Sequence, residues 1–196
     1  MTRETLSPSS AKALLREELR AELGALEPET ARAAAERVAE AVLALPEVAG
    51  ARRVLTCLSF GTELDTWRLV DRLLAAGREV FVPRAEAETG RLLVHRYPCD
   101  LETLSFGLQQ PRRGSPEASA ESLEVALVLG LAFDRRGYRL GHGRGYFDRF
   151  LAGRDLPAVG LAYDFQLRNA LPDEPHDVAM TAVVTEKQVW RRPTSL

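Results

Sequence analysis

The sequence predicts an α/β fold: a single-domain three-layer sandwich, Rossmann-like, with a mostly parallel sheet and helices on both faces. Three observations predict it. Short apolar β-type runs alternate with helical patterns, which is how crossover connections build a parallel sheet. The run Leu123 to Leu131, LEVALVLGL, is apolar almost throughout, as a central strand covered on both faces must be. The chain has 196 residues, 45% hydrophobic and 28% charged, within what one core can serve, and no stretch reads as a long linker. One domain, 1–196, is expected, with an N-terminal helical hairpin over 9–45 packed on an α/β core.

Ser9 or Ser10 can cap a first helix that runs to about Leu23, with Leu14, Leu15, Leu19 and Leu23 on one side and Gly24 as its stop. Pro28 suits the first turn of a second helix that ends by Pro46. Arg53 to Phe60 reads as a strand, Thr66 to Ala76 as a helix closed by Gly77, and Glu79 to Pro83 as the next strand. Arg91 to Tyr97, after the Thr89-Gly90 turn, is a candidate antiparallel partner, with His95 as a surface strand residue. Pro98 to Ser122 reads as loop. Beyond the buried strand, Tyr146 to Ala152 is helical, Ala158 to Ala162 a strand, Phe165 to Ala170 a helical turn or two, and Val178 to Val184 a last strand.

A net charge of -2 gives no global field to attract nucleic acid or an anionic membrane, so any anion site must be local. The longest apolar run is far short of a membrane span, and Met1 to Arg20 shows no apolar signal region. Cys57 and Cys99 suit a reducing compartment and have no metal-binding spacing. A cytoplasmic monomer acting on small molecules, with no nucleic-acid or membrane partner, is the expectation. Of 26 basic residues only Lys12 and Lys187 are lysine, and a lysine retained among so many arginines is a mild sign that a compact ammonium is needed there.

Ligands of such sheets bind beyond the carboxyl ends of the strands, which directs attention to Ser59 to Thr66, Asp134 to Asp148 and Pro172 to Asp177. In Gly141-His142-Gly143-Arg144-Gly145 alternate residues lack a side chain, so successive N–H groups can turn onto one concave face and hold phosphate. Arg139 and Arg144 add local positive charge, and Asp148 is spaced to hold a magnesium ion beside the phosphates. The same glycines would also serve an ordinary strand-to-helix turn. Their spacing is neither the P-loop nor the dinucleotide pattern.

The run from Gly130 through Asp134, Gly137 and Gly141 to Asp148 and Phe150, GLAFDRRGYRLGHGRGYFDRF, closely resembles the signature of the 5-formyltetrahydrofolate cyclo-ligase family. Lys12 to Arg16, KALLR, and Leu58 to Thr66, LSFGTELDT, agree in order and spacing. The resemblance implies closure of 5-formyltetrahydrofolate to 5,10-methenyltetrahydrofolate with ATP as co-substrate and Mg2+, releasing ADP and phosphate. It implies that Lys12, Arg16, Arg139, Leu140, Gly141, His142, Gly143, Arg144, Gly145, Tyr146 and Phe147 meet ATP. It implies that Leu58, Glu63, Phe106, His142, Gly143, Arg144, Gly145 and Tyr146 meet folate. Asp148 and Asp177 are implied as metal ligands, and Lys12, Arg144 and Asp148 as the residues that carry the chemistry.

Several positions depart from the family pattern. Phe147 stands where tyrosine is common, Leu129 where proline is frequent, and Gln110 where glutamate is frequent before Pro111. The rival expectation is a non-catalytic nucleotide- or RNA-binding relative that keeps the phosphate loop, motivated by Arg112, Arg113 and the loop arginines.

Overall fold

The computed structural model describes residues 8–192. Helix α1 (Pro8–Gly24) and helix α2 (Pro28–Leu43) form the N-terminal hairpin. Because α1 includes Pro8, Ser9 and Ser10 lie in its first turn and do not cap it; the residues before Pro8 lie outside those described. Leu19 and Leu23 are buried and Leu15 packs beside them, whereas Leu14 is 56% exposed, so the apolar stripe is narrower than expected. In α2 the stripe Ala34, Ala35, Val38, Ala39 and Val42 is buried, with Pro28 in the first turn.

The single-turn helix α3 (Pro46–Ala49) leads to strand β1 (Arg53–Thr56), then helix α4 (Trp67–Ala75), strand β2 (Glu79–Glu86) and strand β3 (Arg91–Tyr97). Strand β1 stops short of the expected Phe60, because Cys57 to Phe60 turn away to serve the loop beyond it. The segment 98–122 is not all loop: β4 (Leu101–Thr103) and β5 (Gln109–Pro111) pair antiparallel, Glu102 facing Gln110. Polar and proline-rich residues concealed that hairpin. Strand β6 (Val125–Leu129) is buried at all five positions.

Strands β7 (Ala132–Asp134) and β8 (Arg139–Leu140) and helix α5 (Tyr146–Leu151) follow, then β9 (Ala158–Leu161). The expected helix over 165–170 is a 3-10 turn, Asp164–Gln166, continuing as the short strand β10 (Leu167–Arg168), which pairs with β7. The last parallel strand is β11 (Ala182–Val184), shorter than expected, and β12 (Val189–Arg191) follows it antiparallel.

The principal sheet has seven strands in the order β12-β11-β9-β6-β1-β2-β3. The pairs β1/β2, β1/β6, β6/β9 and β9/β11 are parallel, and an antiparallel strand closes each edge. Strand alternation separates two apolar faces. Val54, Val80, Leu127, Val159 and Val184 join α1, α2 and α4. Leu55, Phe81, Ala126, Val128 and Val183 join Phe150 and Leu151 of α5. Gly160 points to the second face, where the Phe133 ring fills the space that a side chain would need.

The chain leaves β1 in one direction to β2 and later occupies the other side with β6, β9 and β11, so strand order reverses between β1 and β6. A crevice at the carboxyl ends of those two strands follows from this topology, because their connections diverge. Among the described residues no helix is long and apolar enough to cross a membrane.

Candidate functional site

A cavity of about 450 Å³ opens at that crevice, within the range of roughly 300–1,000 Å³ usual for small-molecule sites. All sixteen residues singled out from the sequence line it: Lys12, Arg16, Leu58, Glu63, Phe106, the run Arg139 to Asp148, and Asp177. They come from the first helix, the loop after β1, the β4–β5 hairpin, the glycine-rich loop and the segment before β11.

Lys12 and Arg16 are four residues apart and thus share one face of α1. Packing of Leu15, Leu19 and Leu23 orients that face, so an apolar contact aims two cations into the cavity. Lys12, with a side chain only 9% exposed, donates from Nζ to Glu174 Oε2 at 2.8 Å and to Asp177 Oδ2 at 2.7 Å. Burial opposes the Lys12 charge, yet the hydrogen bonds and charges of Asp177 and Glu174 prevail and raise its pKa. For Asp177 burial is likewise outweighed, by Lys12 and the Glu174 amide, and its pKa is lowered. Lys187, by contrast, is an exposed partner of Asp164 at 3.2 Å, so the lysine signal in the sequence applies to Lys12 alone.

Arg16 Nε donates to Gly141 O at 2.9 Å, tying α1 to the glycine-rich loop. Gly143 (φ 103°) and Gly145 (φ 62°) take left-handed conformations that a side chain would strain, and Gly145 precedes the first turn of α5. Arg139 runs beneath this loop, 5% exposed, where Gly130 leaves it room: a Cβ there would come within 2.8 Å of Arg139 Cγ. Its terminal nitrogen donates to Asp148 Oδ2 at 2.9 Å, while Val178 N donates to Oδ1 at 3.3 Å. Asp148 is therefore held at both oxygens. Arg144 is exposed at the rim.

On the opposite wall Glu63 accepts from Phe60 N at 3.1 Å, and its other oxygen lies 3.0 Å from His142 Nε2. Phe60 meets Phe106 edge to face at 5.5 Å between ring centres. Phe106 is 60% exposed at the tip of the hairpin. Gln110 is buried; its amide donates to Glu102 and accepts from Ala85 N, so the residue that replaces the family's glutamate holds the hairpin against β2.

Asp134 fixes the frame. Buried, it accepts from Arg136, Tyr138 N and Leu171 N, and Arg136 also pairs with Asp173 at 2.8 Å. This connects the turn after β7 to the segment carrying Glu174 and Asp177.

Hard oxygen donors for a divalent cation are present in Asp148, Asp177 and Glu174. Ligand atoms of Glu174, His176 and Asp177 lie within 4.8 Å of one another; Asp148 is not in that group. Cys57 lines the cavity, but desolvation pushes its thiol up to about 12, which removes it as a nucleophile. His95 is buried, not a surface residue, with Nδ1 at 2.9 Å from Pro116 O, because the chain after β5 folds back over β3.

Sequence reasoning missed Phe60, Glu174 and the apolar wall of Pro83, Ala85, Ala87, Leu92, Leu104 and Leu108. Phe60 and Glu174 lie in or beside segments already marked by their position after strands. The apolar wall had no signal of its own, since such residues in strands read as core.

The family model described as "5-formyltetrahydrofolate cyclo-ligase family" matches residues 8–186. The chain is 35% identical over 173 residues to a 5-formyltetrahydrofolate cyclo-ligase of Escherichia coli K12, covering 85% of this chain and 95% of that one. It is 30% identical to the Saccharomyces cerevisiae enzyme of the same name, with 88% and 94% covered. The solved structure of Aquifex aeolicus 5,10-methenyltetrahydrofolate synthetase superimposes with a TM-score of 0.81 at 31% identity, covering 94% and 95%.

Proposed function

The chain belongs to the 5-formyltetrahydrofolate cyclo-ligase family, and on that footing we propose that its cavity joins ATP to 5-formyltetrahydrofolate and releases 5,10-methenyltetrahydrofolate, ADP and phosphate. The observation that carries the reading to this chain's own residues is the meeting, in one cavity, of a cationic end built by Lys12, Arg16 and the glycine loop with an apolar end that carries Glu63 and Phe106.

A formamide oxygen is a weak nucleophile and a poor leaving group. Its attack on the terminal phosphorus breaks the bond to ADP and makes the formyl carbon electrophilic. The second folate nitrogen then attacks that carbon, loses its proton, and phosphate leaves with the formyl oxygen. Catalysis of such steps is mainly alignment and charge neutralisation. In this reading Lys12 and Arg16 receive the phosphates, the 139–147 run lines the nucleotide, and Arg144 closes over the transferred group. Glu63 accepts hydrogen bonds from folate N–H groups that would otherwise be buried unpaired, Leu58 packs against the ring system, and Phe106 stacks on it.

Asp148 and Asp177 would hold magnesium, with Glu174 beside them; when bound, the ion supplies charge neutralisation for the phosphates. We further read the chain as one cyclo-ligase domain of three-layer, Rossmann-like build, with the helical hairpin on the α/β core, acting as a cytoplasmic monomer without nucleic-acid partners.

Incubation with ATP, magnesium and 5-formyltetrahydrofolate tests this. Formation of the methenyl chromophore is expected. Folded protein that forms none, yet binds RNA in a salt-sensitive way, would favour the non-catalytic alternative.

A further inference from the structure

Glu63 and His142 are 79 residues apart in sequence and meet across the cavity, Nε2 to Oε1 at 3.0 Å. A carboxylate can only accept, so Nε2 is the donor in this contact. Phe60 N occupies the other oxygen at 3.1 Å. Among the described residues each oxygen is thus engaged once and keeps lone-pair capacity for ligand N–H groups. Among the described residues, Glu63 without His142 would retain only the amide of its own turn.

His142 is itself placed by the glycine loop. Arg16 holds Gly141 O on one side, Gly143 turns left-handed on the other, and the Phe60 ring lies 6.0 Å from the imidazole, tilted by 36°. The imidazole is 45% exposed, so water competes for the bond whenever the loop is unconstrained.

We propose that His142 is a positioning residue through which the nucleotide loop sets the Glu63 carboxylate, making the binding of nucleotide and of folate mutually reinforcing. This rests on the reading of Glu63 as folate-facing and of the loop as nucleotide-facing. A nucleotide that fixes the loop backbone also fixes the imidazole. Folate then meets an aligned carboxylate and forfeits less conformational freedom on binding. Linkage makes the effect reciprocal.

The test is the dissociation constant of 5-formyltetrahydrofolate, by calorimetry, with and without a non-hydrolysable ATP analogue and magnesium. In the parent chain the analogue should tighten folate binding by about 5-fold or more, the lower range of ordinary coupling. In His142→Ala the two constants should coincide, and His142→Gln, which keeps an N–H donor, should recover part of the difference. A merely structural role for His142 would weaken both constants and leave their ratio unchanged. Tightening retained in His142→Ala, or absent from the parent chain, overturns the inference. A parent chain that binds no folate at all overturns the functional reading itself, and this inference with it.

Discussion

The Lys12 ammonium lies 2.7 Å from the Asp177 carboxylate, joining two residues 165 positions apart in sequence. Nucleotide phosphate and divalent cation would each compete for one half of this pair, so its removal should register in both stability and nucleotide affinity.

Lys12→Met should cost about 1–3 kcal/mol, since Glu174 and Asp177 lose a shared charged donor. It should also raise the KM for ATP by roughly 10-fold, about the value of one charge-assisted hydrogen bond. The sign of the pH dependence follows from the shifts. A lysine raised in the fold stabilises fully below its unfolded pKa of about 10.4 and loses that as pH rises through the folded value. A lowered aspartate stabilises above about 3.9 and loses that as pH falls through the folded value. Denaturant titrations should therefore show a parent-minus-variant difference that is flat from about pH 5 to 9 and shrinks on both sides. A difference undiminished at high pH would assign the effect to packing.

Asp148→Asn is a more informative change than Asp148→Ala, because Arg139 is buried and Asp148 Oδ2 accepts its hydrogen bond, which alanine would leave unmade. The amide keeps one acceptor for Arg139 and removes the charge. The magnesium concentration for half-maximal turnover should rise about 10-fold or more, with folding retained. Unchanged magnesium dependence would remove Asp148 from the metal site.

Phe106→Ala should raise the KM for 5-formyltetrahydrofolate by about 5-fold, the worth of one aromatic contact near 1 kcal/mol, and leave the KM for ATP unchanged. Its exposure at the hairpin tip means stability should move by no more than about 0.5 kcal/mol. An equal rise in both KM values would show that the ring supports the cavity as a whole.

Gly160→Ala should lower stability by about 1–3 kcal/mol, because the added Cβ would stand 2.4 Å from the Phe133 ring in a filled layer. Turnover per folded molecule should persist, since neither residue lines the cavity. Calorimetric melting and active-site titration together separate the two quantities.

The parallel core was readable because β6 is apolar on both faces; the alternate glycines alone left an anion nest and an ordinary turn open, and the resemblance of the whole 130–150 run is what singled the loop out. The hairpin of β4 and β5 was not readable: Gln109 and Pro111 do not resemble strand residues, and their pairing is secured by Arg84 with Glu102 and by the Gln110 amide, contacts that no local pattern encodes. The same holds for Glu174, an ordinary loop acid until α1 brings Lys12 against it. His95 was misplaced because alternation specifies which side of β3 it occupies, not that a later segment returns to cover that side.

The bond between Lys12 and Asp177 also sets a schedule. The residue that would meet phosphate is translated well before the acids that hold it, 162 positions ahead of Glu174 and 165 ahead of Asp177. On the ribosome, the α1 segment is made before the carboxylates that hold its lysine and before β11, which completes the parallel part of the sheet. A phosphate contact that relies on Lys12, as proposed, would therefore be assembled only once the segment with Glu174 and Asp177 has been made.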